Sequence, residues 1–185
     1  MLFVLHDSRY NLERENFMNN NTIADYKIRP MQLADNQAVA ALVRVNLENN
    51  GLDIAGTAYF DSTLDNLYEF YSMKEGRGYY VLADGSDRVV GGIGFAEFEP
   101  FESCAELQKL YLADSAKGAG LGYRLVAFVE ERMQEAGYKA SYLETHHNLQ
   151  TAIHIYEKMG YSKIERPKEV AHGTMDHFYY KKLSD

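Results

Sequence analysis

Apolar and polar residues alternate along Tyr26-Lys27-Ile28-Arg29, the period of two that puts successive side chains on opposite faces of a strand. From Asp35 the period changes. Val39, Leu42, Val43 and Leu47 recur at helical spacing and predict a helix capped by Asp35 that ends near Asn49-Asn50-Gly51. A second helix is predicted with Ser62 as its cap and with Leu64, Leu67, Tyr68 and Tyr71 along it. Residues 79–83 and 89–95 are apolar runs flanking Asp84-Gly85-Ser86-Asp87, the pattern of a β-hairpin. A strand over residues 107–112 is followed by a helix over 120–136 with its stop at Gly137, a strand over 140–144 and a helix over 148–159. Strands over 161–164 and 175–183 close the chain. This order predicts an α/β fold in which two N-terminal helices precede a mixed sheet of about seven strands.

Length and composition narrow the picture. The 185 residues fit one domain with a sizeable core, and no internal repeat or low-complexity linker suggests a second. Residues 1–24 read as an N-terminal extension, polar at Asn19-Asn20-Asn21, ahead of a domain over 25–185; Met18 is a candidate true start. A net charge of −8 argues against a nucleic-acid groove binder, which needs a basic face. An acidic surface suits a cationic acceptor such as an amine, and equally suits ordinary solubility. The one cysteine, Cys104, rules out an intrachain disulfide framework and fits a reducing compartment. No run is long enough to span a bilayer, and Met1-Leu2-Phe3-Val4-Leu5 is too short for a signal-peptide core. The expected location is the cytoplasm.

The chemistry-bearing signal is Lys117-Gly118-Ala119-Gly120-Leu121-Gly122, set between a strand and an apolar-periodic helix. Glycines allow close approach and left-handed backbone, and the helix start offers unpaired N–H groups and a positive dipole end to an anion. A P-loop is excluded, since no Lys-Ser/Thr pair follows a suitable glycine. A dinucleotide fingerprint is a nearer rival, because Glu144 stands at a strand end about twenty residues further on. Two features oppose it: Tyr123 occupies the third glycine position, and residues 113–117 separate strand from loop where that fingerprint wants an immediate turn. Downstream lies a second pattern, Asn148-x3-Ala152-x3-Tyr156-x3-Gly160-Tyr161.

Together the two patterns, spanning residues 106–161, resemble the GCN5-related N-acetyltransferase (GNAT) superfamily, which moves an acetyl group from acetyl-CoA to an amine. The family's Gln/Arg-x-x-Gly-x-Gly/Ala loop falls on Lys117, Gly120 and Gly122, so the first position departs from the pattern but keeps its positive charge. Ile28-Arg29-Pro30 followed by Asp35 echoes the usual start of the fold. The resemblance implies a mixed seven-stranded sheet with a splayed central strand pair and about four flanking helices. It also implies acetyl-CoA as co-substrate, with no metal. Carried onto this chain, the backbone of Leu110 and Leu112 holds pantetheine and the acetyl carbonyl. Backbone N–H groups of Lys117, Gly118, Ala119, Gly120, Leu121, Gly122 and Tyr123 hold the pyrophosphate. The Lys117 side chain either adds a contact or is solvated.

Tyr156 is the expected general acid for the departing thiolate, with half-buried packing as its plain alternative. Asn148 is a helix cap, a cofactor contact, or both. Glu106, eleven residues before Lys117, has the spacing of the catalytic glutamate in histone-type members and is the first candidate base; Glu97, Glu99 and Glu144 are its reserves. His146-His147, with His154 nearby, invites a metal reading. That reading is set aside because adjacent residues on an extended segment face opposite ways and no carboxylate or cysteine completes a set. His172 and His177 are candidates for the acceptor pocket, together with the Tyr59-Phe60 to Tyr71 region and the last two strands. The expected activity is direct acetyl transfer, in a ternary complex, to a primary amine of a small molecule, with peptide and protein amines and a homodimer left open. A non-catalytic acyl-CoA sensor or protein-interaction module on the same fold is the alternative.

Overall fold

The computed structural model describes residues 25–168, 170 and 173–183. The expected extension over residues 1–24, Met18 within it, and His172 lie outside the described residues. Seven strands form one sheet: β1 (Lys27–Pro30), β2 (Gly78–Ala83), β3 (Val89–Glu97), β4 (Cys104–Leu112), β5 (Ala140–Thr145), β6 (Ser162–Ile164) and β7 (His177–Lys182). Their order is β1-β2-β3-β4-β5-β7-β6, antiparallel everywhere except at the central β4–β5 pair. Four α-helices flank it among the described residues: α1 (Asn36–Glu48), α2 (Leu67–Ser72), α3 (Leu121–Glu135) and α4 (Gln150–Lys158). The mixed seven-stranded α/β sheet expected from the sequence is the one observed. Among the described residues no helix is long and apolar enough to cross a membrane.

Strand alternation sorts the core into two layers. On one face Leu82, Ile93, Phe95 and Leu107 pack against Leu125 and Val129 of α3 and Ile155 of α4. On the other, Tyr79, Val81 and Ala96 pack against Val39, Val43 and Leu47 of α1 and Leu67 and Tyr71 of α2. Gly137, at φ 92°, ends α3 in the left-handed conformation that favours glycine, as its position predicts.

Two caps differ from expectation. Asp35 stands at the N-cap of α1 but makes no side-chain bond to it. Its carboxylate is claimed by Arg29 in a two-pronged pair (2.7 and 3.0 Å) and by the Gln32 N–H (2.8 Å), which close the 3-10 turn Leu33–Asp35. Ser62 caps nothing. A 3-10 turn, Leu64–Asn66, intervenes, and α2 begins only at Leu67. The acceptor at its start comes from another helix: Asn36 Oδ1 of α1 takes the Tyr68 N–H at 2.9 Å. A cap donated across the fold leaves no local sequence signature.

Candidate active site

The β4–β5 pairing runs Cys104↔Ala140, Ala105↔Ser141, Glu106↔Tyr142 and stops. Beyond it β4 continues to Leu112 and β5 to Thr145 without pairing to each other, so the two strands part and a cleft opens between them. Against β3 the register slips between Gly92↔Tyr111 and Gly94↔Gln108, which places a bulge in β4 at Lys109 and Leu110. Lys109 adopts φ 52°, costly for a residue with a Cβ, and is held from two directions. Tyr79 donates its hydroxyl to the Lys109 carbonyl (3.1 Å), and the Lys109 ammonium meets Asp61 at 2.6 Å.

Two cavities occupy the cleft. The outer one, of about 190 Å³, lies between Leu110–Leu112, Lys117 and Gly122 on one side and Asn148–Ala152 on the other. The inner one, of about 80 Å³, reaches Glu106, Glu144, Tyr156 and Met175. Leu110, Tyr111, Leu149 and Ala152 border both, so the two adjoin.

At the outer end the chain passes through the 3-10 turn Asp114–Ala116 into the Gly-rich segment. Gly118 (φ 80°) and Gly120 (φ 74°) are both left-handed, and Gly120 is the N-cap of the fifteen-residue α3 with no side chain capping it. A Cβ at Gly118 would meet nothing within 4 Å, whereas one at Gly122 would lie 2.6 Å from Ile155 Cδ1. Gly118 therefore serves backbone conformation and Gly122 the close approach of α3 to α4. Ala119, Leu121 and Tyr123 complete the turn, with Leu121 buried in the core. The Lys117 ammonium pairs with Asp114 at 2.6 Å on the surface. An uncapped helix start, glycine-lined and open on its outer side, fits a phosphate group.

Across the cleft, Asn148 does not open the helix. The N-cap of α4 is Leu149, and Asn148 Nδ2 donates to the Asn50 carbonyl at 2.8 Å, tying the α4 approach to the end of α1. Asn46 and Asn50 also line the outer cavity; in the sequence they read only as the tail of a helix. Ala152 and Tyr156 are four residues apart on α4 and so share the face toward the cleft. Tyr156 is 5 % exposed, its hydroxyl makes no hydrogen bond among the described residues, and burial pushes its pKa upward. It stays a neutral O–H donor at ordinary pH.

Glu106, the last residue of β4 paired with β5, is 8 % exposed and reaches the inner cavity, as does Glu144 on the parting stretch of β5. Glu97 is engaged elsewhere. Arg77 grips it with two bonds (2.8 and 2.5 Å), Lys74 adds a third, and Arg77 holds its carboxyl down at about 2. Glu99 is exposed in the turn after β3.

A family model described as the acetyltransferase (GNAT) family matches residues 46–161, which include the β4 bulge, the Gly-rich turn and α4. The chain belongs to the GNAT family of acetyltransferases. The "Uncharacterized N-acetyltransferase YjgM" of Escherichia coli K12 is 37 % identical over 150 residues, 80 % of this chain and 89 % of that protein. Among solved structures, a GNAT-family acetyltransferase of Staphylococcus aureus Mu50 superposes with TM-score 0.75 at 17 % identity, covering 86 % of this chain and 99 % of that one. The yncA protein of Salmonella typhimurium, solved with its cofactor acetyl-CoA, gives TM-score 0.69 at 18 % identity over 87 % and 95 %. The family's co-substrate is acetyl-CoA.

In this GNAT chain the histidine pair needs a correction. The rings of His146 and His147 do not face apart; their centroids lie 4.1 Å from each other. A carboxylate does stand beside them: Asp176 meets His147 Nδ1 at 2.5 Å and His177 Nδ1 at 2.9 Å, and the His147 N–H at 2.9 Å. The strands β5 and β7 bring these distant residues together, which sequence separation hid. Yet His146 Nδ1 already accepts the Asn148 N–H (3.1 Å), leaving its other nitrogen protonated, so its lone pair is spent on the loop. The cluster works as a clasp that holds the approach to α4 against the start of β7. His154 is exposed on α4 and apart from it.

Sequence reading also missed the glycines of β3. A Cβ at Gly92 would lie 2.6 Å from the Tyr79 hydroxyl, and one at Gly94 would lie 3.0 Å from Tyr71 Cζ and 2.5 Å from Tyr79 Cδ2. Gly91-Gly92-Ile93-Gly94 inside a strand was the available signal, since glycine there marks a close approach.

Proposed function

We propose that this GNAT protein transfers acetyl from acetyl-CoA directly to a primary amine, in a ternary complex, with a small molecule as acceptor. The observation that carries the reading is the pair of adjoining cavities between the parted strands, which lead from an anion-suited helix start to a carboxylate, Glu106, and a neutral phenol, Tyr156. The parted edge of β4 supplies backbone groups of Leu110 and Leu112 for an added, strand-like ligand. The turn from Lys117 to Tyr123 supplies N–H groups for a pyrophosphate, and Asn148 shapes the opposite wall.

An amine arrives largely protonated, since its pKa is about 10. Glu106 takes that proton, directly or through one water. The amine nitrogen then bonds to the acetyl carbon while the carbon–sulfur bond breaks, Tyr156 gives its proton to the departing sulfur, and the surplus proton of the new amide nitrogen restores the Tyr156 hydroxyl. Because both reactants share one cleft, no acetyl-enzyme is needed. The two carboxylates of the inner cavity, Glu106 and Glu144, favour a cationic acceptor. The small inner volume favours a slim one.

The test is an acceptor screen over amines, amino acids and peptide N-termini, read by release of free CoA. Intersecting initial-velocity lines are expected for the best acceptor. Parallel lines would indicate an acetyl-enzyme, and tight acetyl-CoA binding without turnover of any acceptor would favour a sensor.

A further inference from the structure

The Glu106 carboxylate is held from its own strand. Gln108 lies two residues along β4, on the same face, and donates from Nε2 to Glu106 Oε2 at 2.6 Å. Tyr71 of α2 in turn donates its hydroxyl to Gln108 Oε1 at 2.7 Å. The polarity of this chain is fixed. A flipped amide would aim its carbonyl oxygen at the carboxylate, so Tyr71 holds the amide in the orientation that offers Glu106 an N–H. The relay is a built feature. Tyr71 is 6 % exposed, its ring lies 5.2 Å from that of Tyr79, and Gly94 of β3 is the residue whose missing Cβ leaves it room.

We propose that Gln108 and Tyr71 are positioning residues for acetyl transfer, a two-bond relay that aims the Glu106 carboxylate and keeps it ionised. This rests on the reading of Glu106 as base. The donated N–H stabilises the charged carboxylate and so lowers the pH at which the base becomes available. Burial pushes the Tyr71 pKa well up, so the phenol remains a donor throughout the working range. Because Tyr71 sits on α2, the aim of the base depends on the seating of that helix against the sheet. The charged and titratable groups around Glu106 are Cys104, Lys109 and Tyr111 on β4, Tyr142 and Glu144 on β5, Tyr71 on α2 and Tyr156 on α4. None of them is altered by changing Gln108.

The experiment compares Gln108→Leu, Tyr71→Phe and Glu106→Gln with wild type. It uses the pH profile of kcat/KM, kcat at saturation and the KM for acetyl-CoA. Gln108→Leu should move the acidic limb up by about one pH unit and lower kcat about tenfold, with the acetyl-CoA KM unchanged. Tyr71→Phe, which deletes one oxygen and keeps the ring, should shift the limb the same way by less. It decides the matter if Gln108→Leu fails to fold. Profiles of both variants that overlay wild type, beside an impaired Glu106→Gln, would overturn the relay and leave the base intact. A Glu106→Gln profile that overlays wild type would overturn the base, and the relay with it.

Discussion

The two ends of the cleft are built on different principles. The outer end is made by consecutive residues: a strand, a 3-10 turn, two left-handed glycines and a helix start, all between Leu110 and Tyr123. It works mainly through backbone groups. The inner end is collected from distant parts of the chain, Ala58, Glu106, Glu144, Tyr156 and Met175, and works through side chains. In the function proposed above, the first kind of site meets what every reaction of the family shares, the phosphate-bearing carrier. In the same reading the second kind, which can be altered residue by residue, is where the choice among acceptors lies.

The comparison can be broken most sharply at Gly120. Gly120→Asp puts a Cβ on a left-handed residue and a negative charge at the helix start, so acetyl-CoA binding should fall beyond calorimetric detection in a folded protein. Unchanged affinity would mean that the outer end is no anion site.

Next in size is Tyr156→Phe, at the inner end. The ring and its packing stay, the proton donor goes, and kcat should drop by roughly 10²- to 10⁴-fold with acetyl-CoA affinity preserved. A near wild-type kcat would make Tyr156 a packing residue. Glu106→Gln probes the inner end alone. Steady-state assays should show kcat lower by about 10²-fold and acetyl-CoA binding intact.

The smallest effect is expected at Glu97. Glu97→Gln should leave kcat unchanged, because Arg77 and Lys74 occupy the carboxylate, and cost about 1 kcal/mol of stability at pH 7 in urea unfolding. The sign follows from the lowered pKa. The folded group ionises near 2 and the unfolded one near 4.5, so the stabilisation is complete above 4.5 and fades as pH falls toward 2. The gap between variant and wild type should close over that window. A fall in kcat at constant stability would instead reinstate Glu97 as a base candidate.

The same division decides what could be read in advance. The glycine turn, the helix after it, its stop at Gly137 and the hairpin around Asp84 follow from local conformational rules, and each appears where its residues predict. The caps of Asp35 and Ser62 failed because the partners come from elsewhere: Arg29 takes the first, and Asn36 of α1 supplies the start of α2 in place of the second. The relay through Gln108 and the clasp at Asp176 depend on strand register, which single residues do not announce. Only the glycines of β3 gave notice of the crowding above them.

The stretch of β4 that does not pair with β5, residues 107–112, also bears on self-association. A free strand edge on the rim of a sheet is a template for another chain's strand, and proteins blunt such rims with charge, proline or cover. Here the free edge lies within the sheet, flanked by β3 on one side and by β5 across a narrow gap on the other. That gap is an inner one, two or more strands away from either rim of the sheet. The free backbone of β4 is thus set apart from the rims of the sheet at β1 and β6, the edges where a copy of the chain could pair.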